Sequence, residues 1–180
     1  LKVSSSNLLL LLDDLLTTYA LGEQKEHDRQ EPLDVKAILL EQLEEVKYLA
    51  SLSGKQIKLE TDEYLPEITI NRANFLRIIT NLIHNAIKFG KRDTVIEVVL
   101  KTENNLLKCL ISNVTEGLDE LSDKSVFTRF ARATKDAQHP HSSGLGLYLT
   151  RKIVESMGGS IEAEIEGSER IRFSVTIPLL

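Results

Sequence analysis

The chain has 180 residues, 42% hydrophobic and 27% charged, a balance that belongs to a globular protein with room for a real core. Its formal net charge of -5 argues against nonspecific binding to nucleic acid or to an anionic membrane surface, so a phosphate-bearing ligand needs locally gathered Lys and Arg. A single cysteine excludes a disulfide framework and fits a reducing compartment; no run reads as a signal peptide or membrane span, "NLLLLLDDLL" being too short and too acidic.

Ser4–Ser6 read as a cap before a helix over Asn7–Glu23, in which Leu8, Leu11, Leu12, Leu15, Leu16 and Tyr19 recur at helical spacing. Leu9 and Leu10 carry the apolar surface almost around it, so this helix needs a partner helix. Residues 22–32 are polar, with a Gly and a Pro, and read as a linker. A second amphipathic helix over Leu33–Leu52 uses Val35, Ile38, Leu39, Leu43, Val46 and Leu49, and Ser53-Gly54 ends it. Gln56–Thr61 and Ile68–Ile70 read as short strands. A third helix starts from a cap at Asn71 or Asn74, runs to about Phe89 and closes at Gly90.

Thr94–Thr102 and Leu106–Val114 flank the turn Glu103-Asn104-Asn105 and predict a hairpin. Cys109 lies in the apolar run "LLKCLI" and reads as a core thiol. Leu118–Ala133 is mixed and partly helical, and Lys135–Ser143 is polar and reads as a mobile loop. Gly146–Met157 is a fourth helix ended by Gly158-Gly159, and Ile161–Ile165 with Arg170–Ile177 form a last strand pair. Helices and strands so interspersed predict an α+β fold, a two-layer α/β sandwich.

Chemistry-bearing residues gather in three stretches. In "NFLRIITNLIHNAIKFG", Asn81 and Asn85 are four apart on one helical face and Lys88 joins them, while Ile78, Ile79, Leu82, Ala86 and Ile87 form the core side. Amide oxygens are hard ligands for Mg²⁺ and an ammonium balances phosphate charge, although the same stripe could be an ordinary solvated face. In "SSGLGLYLTRKIVESMGG", Gly144 and Gly146 open a helix directly after a loop, where backbone N–H groups and the helix N-terminus favour an anion. In "VFTRFARA", Phe127 and Phe130 are three apart, as are Arg129 and Arg132; they read as a lid anchored by aromatics with Arg132 facing a terminal phosphate, or as core aromatics with surface arginines.

In this order the three stretches resemble the N box, F box and second glycine box of the ATP-binding domain of sensor histidine kinases, a superfamily shared with DNA gyrase B, MutL and heat-shock chaperone ATPases. The resemblance runs from Leu33 to the closing "VTIPLL". It implies a Bergerat-type ATP-binding fold over 33–180, ATP with Mg²⁺ as ligands, and a role for each matching position. Asn85 would coordinate the metal and Asn81 would support the metal-phosphate cluster. Lys88 would contact phosphate, and Phe89 would pack near the nucleoside. Gly144 and Gly146 would clasp the phosphates, with Leu145 between them and Phe130 of the F box also against the nucleotide. Arg132 would approach the γ-phosphate, and Asp119–Ser143 would be the ATP lid. His84 reads as a surface or partly packed residue inside the N box. His139 and His141 read as exposed lid residues, since two histidines without a Cys or carboxylate framework make a poor metal site.

The family's first glycine box follows a strand and reads Asp-x-Gly-x-Gly. Here "NVTEG" puts Asn113 at the Asp, Thr115 at the first Gly and Gly117 at the second. The resemblance makes Asn113 the acceptor for the adenine amino group, and a neutral acceptor in place of a charged one costs roughly 1–2 kcal/mol, or about 5- to 30-fold in affinity. Thr115 limits how closely the backbone can approach a ligand.

The family also needs a phosphoacceptor histidine in an H box. "HDRQEPL" has His27, Asp28, Pro32 and Leu33 at matching offsets, but it lies in the polar linker rather than inside a long helix. The leucine-rich helix resembles the second helix of the family's dimerisation hairpin, which follows the H box. The expected layout is therefore 1–26 as the end of that hairpin, 27–32 as linker and 33–180 as catalytic domain, in a piece of a longer protein whose acceptor lies upstream of Leu1. The resemblance further implies a homodimer through the hairpin, a response regulator receiver domain as partner, and a cytoplasmic location with any membrane anchor outside these residues; the acidic balance adds the expectation of no nucleic acid. Rival readings are a nucleotide-binding pseudokinase, an anti-sigma serine kinase of the same superfamily, and a dimerising domain without nucleotide.

Overall fold

The computed structural model describes residues 30–115, 118, 125–128 and 145–179. The leucine-rich helix and His27 lie outside them. The first element is strand β1 (Glu31–Leu33), which pairs antiparallel with β3 (Ile68–Ile70), Leu33 opposite Ile68. Helix α1 therefore starts two residues later than the periodicity predicts, at Val35–Leu52, and the Asp34 side chain accepts the Ala37 N–H at 2.9 Å as its N-cap. Gly54, at a φ of 69°, makes the left-handed turn into strand β2 (Lys55–Thr61). Helix α2 (Arg72–Phe89) is capped by Asn71, whose side chain accepts the Asn74 N–H at 2.9 Å.

Strands β4 (Thr94–Glu103) and β5 (Leu106–Val114) form the expected hairpin. Its two linking residues, Asn104 and Asn105, both have positive φ (52° and 61°), the conformation of a type I′ turn and one that Asn tolerates. After a short 3-10 turn at Ser125–Phe127 come helix α3 (Gly146–Ser156), strand β6 (Ser160–Glu166) and strand β7 (Arg170–Pro178).

The main sheet has the order β2-β4-β5-β7-β6, with β2 parallel to β4 and the other pairs antiparallel. Alternation decides its faces. Ile96, Val98 and Leu100 of β4, Leu107, Cys109 and Ile111 of β5, and Ile171, Phe173, Val175 and Ile177 of β7 are buried, whereas residues between them such as Glu97, Val99 and Lys108 are partly exposed. The buried face meets the apolar sides of the three helices in one core, with Leu39, Phe75, Ile78, Leu82 and Ile153 sealed from solvent. This is the expected α+β two-layer sandwich.

Candidate nucleotide site

The polar stripe of α2 divides into residues with different partners. The Asn81 amide nitrogen donates to Thr150 Oγ1 of α3 at 2.7 Å, and the Thr150 hydroxyl, on a residue 2% exposed, donates to the Gly146 carbonyl at 3.0 Å. A Cβ on Gly146 would stand 2.6 Å from Asn81 Oδ1. Glycine at 146 thus lets the first turn of α3 approach α2 closely, and the Asn81–Thr150 bond holds it there. Asn81, read as support for a metal-phosphate cluster, has a structural partner in this arrangement.

One turn later the Asn85 side chain is half-buried and has no hydrogen-bond partner among the described residues. An amide left without a partner beside such a lock is available to a ligand. Lys88 is half-buried, with its ammonium 5.2 Å from the Phe89 ring centroid. His84, between the two asparagine turns, is exposed, as read.

The end of β5 closes the other side of the α2 C-terminus. Asn113 is 3% exposed, and among the described residues its amide donates one long bond, 3.3 Å, to the neighbouring Val114 carbonyl. Lys91 N–H donates to Val114 O at 2.8 Å, and the Thr115 hydroxyl donates to Phe89 O at 2.6 Å. Behind this junction Lys55 packs its stem against Gly90 and donates to Ser53 O at 3.1 Å; burial and then the Arg92 charge hold its ammonium below the ordinary lysine range.

Leu145 is buried just before α3, and Gly146 opens that helix against Asn81 of α2. Phe127 is buried edge-on to Phe173 (centroids 6.1 Å apart, planes at 76°), with the Arg151 guanidinium 5.8 Å from its ring, so it is a core aromatic. Gly117, Phe130, Arg132 and Gly144, and with them most of the expected lid including His139 and His141, lie outside the described residues. The sequence reading missed Thr150. Its one signal was that it falls four residues after Gly146, on the same helical face.

The donor set bears on magnesium. Among the described residues no cluster of three or more His, Cys, Asp or Glu exists, so these residues build no protein cage for a cation. One free amide oxygen fits a cation that takes most of its ligands from phosphate and water, which is how Mg²⁺ is commonly held.

Residues 71–180 match the model of the histidine kinase-, DNA gyrase B- and HSP90-like ATPases. The chain belongs to this family. As an ATPase-family domain it is 26% identical over 151 residues to the sensor histidine kinase YvrG of Bacillus subtilis, covering 84% of this chain and 26% of that protein. It is 30% identical over 115 residues to the signal transduction histidine-protein kinase ArlS of Staphylococcus epidermidis, covering 63% of this chain and 25% of that one. The domain thus spans about a quarter of the length of these curated relatives. In fold it is similar to full-length ShkA in complex with AMPPNP, with a TM-score of 0.85 at 21% identity, covering 98% of this chain and 36% of that one. It is similar too to the catalytic domain of histidine kinase ThkA, with a TM-score of 0.72 at 20% identity, covering 83% and 95%. The domain is of the ATP-binding catalytic kind found in two-component kinases. Among the described residues no helix is long and apolar enough to cross a membrane.

Proposed function

We propose that this domain binds Mg-ATP and presents the γ-phosphate to a histidine supplied from outside its 180 residues, for relay to a response regulator receiver domain. The observation that carries the reading is the Asn85 amide, without a partner among the described residues, beside the Asn81–Thr150–Gly146 lock and on the helix that also carries Lys88. Asn85 would hold Mg²⁺ by its amide oxygen, and the ion when bound would supply charge neutralisation along the phosphates. Lys88 would balance phosphate charge, Gly144 and Gly146 would offer backbone N–H groups, and Arg132 would meet the γ-phosphate. Phe89, Asn113, Gly117, Phe130 and Leu145 would enclose the nucleoside end. With no nucleophile of its own in the reaction, the domain acts by positioning and electrostatic stabilisation. In the whole protein the leucine-rich segment would pair two copies in the cytoplasm.

A second reading, a nucleotide-binding regulatory module without phosphotransfer, is favoured by one feature: Asn113 and Thr115 stand where the first glycine box has Asp and Gly. Titration with a fluorescent ATP analogue, with and without Mg²⁺, tests the site. Native protein is expected to bind in the presence of Mg²⁺, and Asn85→Ala to lose the magnesium-dependent part of the affinity. Absence of binding at millimolar nucleotide rejects both readings. Binding without transfer of labelled γ-phosphate to an added H-box helical hairpin selects the second.

A further inference from the structure

We propose that Thr115 is a positioning residue for the nucleoside end of this site, acting through Phe89. The inference rests on the nucleotide reading above. The last turn of a helix leaves carbonyls without intrahelical partners. At the end of α2 the Phe89 carbonyl receives the Thr115 hydroxyl at 2.6 Å. Around that bond the backbone is stitched on both sides: Gly90 and Thr115 form an antiparallel bridge, Lys91 N–H donates to Val114 O, and Thr115 N–H donates to Glu169 O at 2.6 Å. Thr115 is 7% exposed, so water has little access to replace its hydroxyl.

Two residues of the proposed nucleoside pocket depend on this junction. Phe89 is half-buried, so packing alone holds its ring less firmly than a core aromatic. Asn113 lies on the strand that Thr115 continues, two residues away. The hydroxyl therefore fixes the spacing between the end of α2, with Phe89, and the end of β5, with Asn113. A glycine at 115 would let the backbone approach a ligand more closely, but it would remove the hydroxyl that ties the end of β5 to the Phe89 carbonyl. The two effects have opposite signs, so restoring the family's glycine separates them. The proposal requires that Thr115→Gly weakens binding.

The test compares ATP and ADP affinities, by displacement of a fluorescent analogue, for native protein, Thr115→Ser, Thr115→Val and Thr115→Gly, with a thermal midpoint for each. Val and Gly are expected to weaken ATP and ADP alike, by about 3- to 10-fold, because the fault lies at the nucleoside end; Ser keeps the hydroxyl and should stay within about twofold. Ile177→Val, a buried change on β7, should lower the thermal midpoint without moving either affinity, which separates positioning from general loosening. Val unchanged, or Gly equal to or tighter than native, overturns the proposal; if Val does not fold, Ser against Gly decides it. Native protein that binds neither nucleotide sinks the site reading and this inference together, whereas native binding with unaffected variants sinks this inference alone.

Discussion

Asn113 joins a burial argument to a charge argument. At 3% exposure it has given up nearly all its water, and among the described residues its amide makes one long, local bond, to the Val114 carbonyl. Asn113→Asp would put a carboxylate in that place. Without ligand this should destabilise the fold, because desolvation disfavours the charge. With ATP the charged acceptor should strengthen the bond to the amino group, tightening affinity by about 5- to 30-fold. Thermal midpoints of native and variant protein, with and without ATP, should therefore cross: variant lower when free, with the larger upward shift on adding nucleotide. Unchanged or weaker ATP binding would remove Asn113 from the site. The shared face of Asn81, Asn85 and Lys88 was legible from helical spacing, whereas Asn113 was singled out by the resemblance to the first glycine box. What Asn81 touches was not legible, since Thr150 lies 69 residues away and no periodicity links them.

Between elements, the contact of α2 with α3 depends on that pair. Gly146→Ala drives a methyl to within 2.6 Å of Asn81 Oδ1, and relief requires moving either the amide or the helix, a cost of about 1–3 kcal/mol. Thr150→Val keeps the shape but leaves the Asn81 N–H without its acceptor, again about 1–3 kcal/mol. If both act on one lock, the double variant should fall short of the summed losses in urea unfolding by at least about 0.5 kcal/mol. Strict additivity would mean that the two helices are held independently of Asn81. Most elements were legible from pattern, because α1, α2 and α3 repeat at helical spacing and β4, β5 and β7 alternate. β1 was not: three residues containing Glu and Pro show no alternation, and only pairing with β3, far along the chain, makes them a strand. The start of α1 shifted for the same reason, Leu33 being drawn into that pair.

For the molecule as a whole, Cys109 offers a reporter that the chain already contains. It is the sole cysteine, it lies on the central strand β5 between Leu100 and Val175, and burial pushes its thiol up to about 12. The reactive species is the thiolate, so modification in native protein must wait for the core to open. Opening that frees Cys109 breaks β5, and β5 also carries Asn113, four residues on. A ligand bound at the proposed site must then leave before the thiol reacts. At a free Mg-ATP concentration of 100 times Kd the native state gains about 2.7 kcal/mol, so labelling by an aromatic disulfide reagent should slow by about 100-fold. Asn85→Ala at the same concentration should show far less slowing. Rapid labelling of the folded protein would contradict the burial of Cys109, and slow labelling that nucleotide leaves unchanged would mean that β5 opens without disturbing the site.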